Sequence, residues 1–128
     1  MPAMTEKPHA GAFIMGAARN GDLSFVNIVV AQGPSVLNPG TVLGQITNIT
    51  LATAGLFVPV NFAASDGSQI AACILFDRCD PTLGTVVSAV LARNAEVRAD
   101  MLIWPSSGTP SQIAIALSQL ASALIVAR

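Results

Sequence analysis

"NFAASDGSQIAACILF", residues 61–76, sets one aspartate and several small polar residues between two apolar segments. If Asp66, Gly67 and Ser68 form a reactive turn, the chain is an enzyme; if they form a corner, the surrounding segments are strands of a β domain. Asp-Gly is favoured at two-residue hairpin corners, where both positions can require positive φ, and Ile70–Phe76 behind it reads as a compact apolar strand. A catalytic aspartate needs a second titratable group to set its pKa and relay protons. The one histidine, His9, lies far away near the N-terminus, and Asp22, Asp77, Asp80, Glu96 and Asp100 fall mostly at strand ends or in loops. The sequence contains no nucleophile–base pairing, phosphate-cradling glycine motif or metal-spaced cluster. Asp66 and Gly67 therefore read as a structural corner, with no catalytic or metal site and no cofactor expected.

Working outward, the same pattern of short apolar runs and turn residues continues. Leu23–Val30, "LSFVNIVV", is rich in β-branched residues and ends at "QGPS", which predicts a strand. "LNPGTVLGQIT" follows, with Pro39 and Gly40 suited to a type II turn before an extended segment. A further short strand is expected between Phe57 and Phe62, placed at a sheet edge because Pro59 has no N–H to donate. "TVVSAVLAR" reads as strand rather than helix on its valine content. Thr109, Pro110 and Gln112 form a capping-box start. Ile113, Ala116, Leu117, Leu120 and Leu124 recur behind it at helical spacing, predicting a helix over about 110–122. "ALIVAR" then reads as a closing strand. The expectation is seven or so short strands and one amphipathic helix: a mainly β, small α+β domain without internal repeats.

Composition bounds what such a domain can do. The 128 residues provide for one domain, 21–128, preceded by an arm, 1–20, in which Pro2, Pro8 and the turn at Asn20–Gly21 break any periodicity. Six basic and seven acidic side chains leave no footprint for nucleic acid and no polybasic segment for a membrane surface. Apolar residues make up 52% of the chain and charged ones 10%, against about a quarter charged in an ordinary soluble domain. A small domain cannot hide that much apolar surface by itself. A bilayer is a poor outlet: the charge-free stretch from Leu23 to Ser65 is broken every few residues by Gly, Pro or Asn, and a spanning helix needs about 20 apolar residues in a row. Glu6 and Pro8 sit where a secretory signal would carry its apolar segment. The remaining outlet is other protein chains.

Individual residues leave alternatives open. Phe13 and Ile14 either pack back onto the domain or dock on a partner. Trp104 reads as a core or subunit-interface anchor ahead of a ligand-stacking platform. Cys73 and Cys79 are too close together for a disulfide framework and have no second pair for zinc, so structural thiols are expected.

Four stretches together carry a family resemblance: "NPGTVLGQIT", "VPVNFAASDGSQIAACIL", "VVSAVLARNAEVRADMLIWP" and "IAIALSQLASALIVAR". In order and spacing, over about residues 11–128, they resemble the head decoration proteins of lambda-type tailed phages. The resemblance implies a compact β-clip- or β-tulip-like domain of short strands with one C-terminal helix and a flexible N-terminal arm. It implies a non-enzymatic virion protein, made in the host cytoplasm, that forms homotrimers. These bind the outer surface of the expanded head at local three-fold positions and cement its major capsid protein against the pressure of packaged DNA. The arm would reach the capsid through residues around Pro8, His9, Phe13 and Ile14. This chain departs from the family at "LATAGLFVPV", where Leu56 and Phe57 replace more polar residues and are candidates for the trimer interface or an added capsid contact. Two other classes stay in view: a small enzyme using Asp66 or Cys79, and a free-standing oligomeric binding module for a host-surface molecule.

Overall fold

The computed structural model describes residues 10–17 and 24–128. Pro8 and His9 lie outside the described residues. Eight strands and one α-helix are seen among them: β1 Ile14–Ala17, β2 Phe25–Val30, β3 Val42–Gln45, β4 Phe57–Pro59, β5 Cys73–Leu75, β6 Val86–Leu91, β7 Ala95–Val97, α1 Pro110–Ser122 and β8 Ile125–Ala127. Five strands close a small barrel in the order β2-β4-β3-β5-β6, and β1-β7-β8 form a second sheet.

The short apolar runs follow from this two-layer arrangement. A strand covered on both faces has no reason to alternate apolar with polar residues. In β5, Cys73 and Leu75 point into the barrel with Leu43, Val30 and Val90, while Ile74 joins the layer outside it. That outer layer packs Val42, Ile74 and Leu91 from the barrel wall against Val97 and Ile125 of the second sheet and Ala116 and Leu120 of α1. Neighbouring residues such as Val42 and Leu43 therefore serve two different cores.

The strongest local predictions hold. β6 is a strand, in a six-pair antiparallel ladder with β2. The helix starts with the expected capping box: the Gln112 N–H donates to Thr109 Oγ1 (3.2 Å) and the Thr109 N–H to Gln112 Oε1 (3.0 Å). At Pro39 and Gly40 the Thr41 N–H closes a turn onto the Asn38 carbonyl at 3.2 Å, with Gly40 at φ +96°.

Two predictions are corrected. The strand containing Pro59 is not at an edge, since β4 lies between β2 and β3. Proline is tolerated there because pairing with β2 is confined to Val30 and Phe57. The β3 side is served by residues on the other parity, such as the Val60 N–H donating to the Val42 carbonyl at 2.9 Å. Pro59 thus presents its missing donor where the ladder has already ended.

The corner at Asp66 and Gly67 is not a two-residue hairpin. β4 and β5 do not pair with each other; they flank β3 on opposite sides, so residues 60–72 cross over β3. Gly67 has φ +109°, whereas Asp66 is not among the positive-φ residues. The expected strand Ile70–Phe76 shortens to Cys73–Leu75, partly because the Ala71 N–H turns to Gln119 Oε1 of the helix at 2.9 Å.

Candidate functional site

Asp66 acts as a clasp for this crossover. Its Oδ1 accepts from the Ser68 N–H (3.0 Å) and the Ser68 hydroxyl (2.6 Å), an Asx turn of the kind short polar side chains make with backbone two residues on. Its carbonyl accepts from the Thr47 and Asn48 N–H groups at 2.8 and 3.1 Å, tying the crossover to the chain leaving β3. The two bonds from Ser68 hold the Asp66 carboxyl below its ordinary value of 3.8. Asp80 is lowered in the same way by the hydroxyl and N–H of Thr82. The partners are structural, so the shift stabilises a turn; it does not tune an acid for proton transfer.

This has an acid signature. A carboxyl with a depressed folded-state pKa contributes stability that is full above its unfolded value and is lost as pH falls through the folded value. The thermal midpoint is therefore expected to drop as pH is lowered from about 4 towards about 2. Asp66→Asn keeps the Oδ1 acceptor and removes the charge, so its midpoint should change less over that window. An unaltered slope in calorimetric scans of the variant would assign the acid sensitivity elsewhere.

The thiols offer no nucleophile. Cys73 and Cys79 are both free and buried. Burial pushes Cys73 up to about 12, and burial also raises Cys79, outweighing the opposing hydrogen bond with Ser88. Thiols held above the ordinary range are protonated at neutral pH and unreactive. Among the described residues no group of three or more His, Cys, Asp or Glu side chains is placed to hold a metal, and no helix is long and apolar enough to cross a membrane.

Among the described residues, those expected to mediate contacts do not form one site. Phe13 is 1% exposed and lies in the outer core with Val97, Leu102 and Leu120, and Ile14 packs partly against the same cluster. Ile14 opens β1, which pairs with β7. The Gly11 N–H donates to the Phe76 carbonyl and the Phe13 carbonyl accepts from the Arg98 N–H, at 2.9 and 2.8 Å. Of the two readings of Phe13 and Ile14, the structure takes packing onto the domain. In this fold the two side chains anchor the segment that leads into the first strand.

Leu56 and Phe57 are half-buried, Phe57 against the barrel core. Trp104 is also half-buried; it packs on the outer core and stacks on Phe62, with ring centroids 6.4 Å apart and planes at 24°. It lies on the wall of an open groove of about 260 Å³ with Leu37, Pro59 and Pro105. Elsewhere the surface carries apolar side chains that the sequence pattern does not single out. Ile49 is 91% exposed and Leu83 is 96% exposed. Ile49 was legible only as a member of the charge-free run, because strand periodicity does not say which residues end at a loop tip.

What remains is a fold with a structural clasp, inert thiols and an apolar exterior, which points to contact with other proteins. No curated protein matches the chain. The family model for the bacteriophage lambda head decoration protein D matches residues 3–125, and that family supports a role as a structural virion protein decorating the phage capsid. A match that runs from the N-terminal segment through the barrel, the second sheet and the helix into β8 covers the whole fold, and the chain belongs to the bacteriophage lambda head decoration protein D family.

Proposed function

We propose that the protein is a homotrimeric cement that binds the outer surface of the expanded head at local three-fold positions and holds neighbouring copies of the major capsid protein together. The observation that carries this reading is the family match along residues 3–125. It is supported by a domain that is 10% charged and exposes Ile49, Leu83, Ile115 and Leu124 at 91, 96, 59 and 64%. Association with other chains would remove such apolar side chains from water.

The capsid contact is assigned to residues 1–9, including Pro8 and His9, with Phe13 and Ile14 tethering them to the domain. An extended segment of this kind binds by adding backbone hydrogen bonds to a sheet edge. Ordering it costs about 1–2 kcal/mol per residue, so one arm binds weakly. Three arms on one rigid body raise the overall affinity by roughly 10²–10⁴-fold without any new contact. A cement of this design needs neither catalysis nor a covalent bond.

The test is to add the purified protein to expanded heads that lack it and to image them. Density at the local three-fold positions, together with greater resistance of the heads to heat, is expected. Bare heads at saturating protein would reject the reading.

A further inference from the structure

The hairpin of β3 and β4 carries two unlike, uncharged features at its two ends. At one end, residues 46–56 form a loop closed by the Ile46 N–H donating to the Leu56 carbonyl (2.9 Å) and the Gly55 N–H to the Ile46 carbonyl (2.7 Å). Inside it, Asn48 Oδ1 accepts from the N–H and the hydroxyl of Thr50 at 3.1 and 2.7 Å. The Leu51 N–H bonds the Asn48 carbonyl and the Ala54 N–H bonds the Leu51 carbonyl, at 3.1 and 3.2 Å. A loop tied this closely is pre-organised, and it lifts Ile49 into solvent at 91% exposure with Leu51 beside it at 40%. At the other end lies the groove of about 260 Å³, walled by Leu37, Asn38, Pro59, Ile103, Trp104 and Pro105. Trp104 is braced from behind by Phe62.

Thr41 borders the groove and Thr47 begins the exposed loop. At about 3.3 Å per residue the two features are roughly 20 Å apart along β3, so a loop cannot fill its own groove. Neither feature bears an ionisable side chain: the chain has none from Leu23 to Ser65, and none lines the groove. Joining them therefore removes apolar surface from water without burying a charge. Two unlike surfaces on one chain make a heterologous contact, and such contacts close into a ring when the rotation permits.

We infer that the Ile49 loop of one copy inserts into the Trp104–Pro105 groove of the next, head to tail around the three-fold axis. This rests on the trimeric reading above and identifies the surfaces that would build the trimer. Ile49 and Leu51 are the anchors; Trp104 and the prolines form a rigid socket.

Paired cysteines test the contact. Ile49→Cys and Ser35→Cys, the latter on the groove wall, are combined in one chain. A disulfide needs Cα atoms within about 7 Å, so one formed between these positions must link two copies. Oxidation of the free protein and of decorated heads should give a closed covalent trimer on a non-reducing gel, while each single variant yields at most dimers. Ile49→Asp, at an exposed position that folding does not use, should weaken self-association at least about tenfold; Val87→Asp, at a 67% exposed position on β6, should not.

Absence of the cross-linked trimer in both states overturns the inference, even if sedimentation shows trimers and heads are decorated, in which case the cement reading survives alone. An Ile49→Asp protein that stays trimeric but leaves heads bare places the loop against the capsid protein and also overturns it. Covalent trimers that leave heads bare reject the cement reading and uphold the contact.

Discussion

Gly44→Ala is expected to lower the stability of the domain by roughly 2–4 kcal/mol, a large share of the 5–15 kcal/mol typical of a folded domain. Gly44 lies in β3 beneath the crossover. A Cβ built there would come within 2.4 Å of the Ser68 carbonyl oxygen, 2.9 Å of its carbon and 2.9 Å of the Ile70 oxygen. All three obstacles are backbone atoms, so no rotamer change relieves them. Nor can the crossover drift outward cheaply: the Asn61 N–H holds the Ser68 carbonyl at 3.0 Å, the Asp66 clasp holds Ser68, and Gln119 holds Ala71.

Alanine also restricts the unfolded chain, which by itself would stabilise by about 0.4–1 kcal/mol. The clash is several times larger and decides the sign. Gly33→Ala supplies the control, since its nearest contact would be the Ala31 carbonyl oxygen at 4.0 Å, and it should stay within about 0.5 kcal/mol of the parent. Urea melts of the three proteins measure the difference, and a Gly44→Ala midpoint equal to the parent's would mean that the crossover is not held against β3.

Two N-terminal truncations should separate docking from folding. Removing residues 1–9 is expected to leave the thermal midpoint within about 2 °C of the full chain and to abolish occupancy on expanded heads. Removing residues 1–16 takes out Phe13, Ile14 and most of β1. Loss of a fully buried phenylalanine alone costs about 3–5 kcal/mol, and the β7 edge that paired with β1 is laid open as well. This longer truncation should therefore fail by unfolding, before capsid binding is even asked of it. Undiminished occupancy with residues 1–9 removed would reject their docking role, and a 1–16 truncation as stable as the parent would reject Phe13 as an anchor. Calorimetry and imaging of mixed heads read the two effects independently.

The contrast between these truncations shows where sequence reading reached its limit. Phe13 and Ile14 could be recognised as apolar residues in an otherwise featureless segment, but not assigned to an inside or an outside. Their partners, Val97, Leu120 and Arg98, lie more than eighty residues further along the chain in sequence. Pro59 makes the same point. Its missing donor was evident, and the side of the strand on which it would be missed depended on where β2 stops pairing.

By itself the sequence determined whatever is settled within a few residues: the capping box at Thr109, the turn at Pro39 and Gly40, the strand character of β6, and a charge shortage that directs the domain towards other protein chains. These depend on bonds between near neighbours and on composition, which no later contact can undo. The tertiary structure decided that the Asp66 segment crosses β3 instead of turning a hairpin, that Val42 and Leu43 face different cores, and that Ile49 stands at an exposed loop tip. Those outcomes follow from which strands meet across long stretches of chain, and an apolar run carries the same letters whichever neighbour it meets.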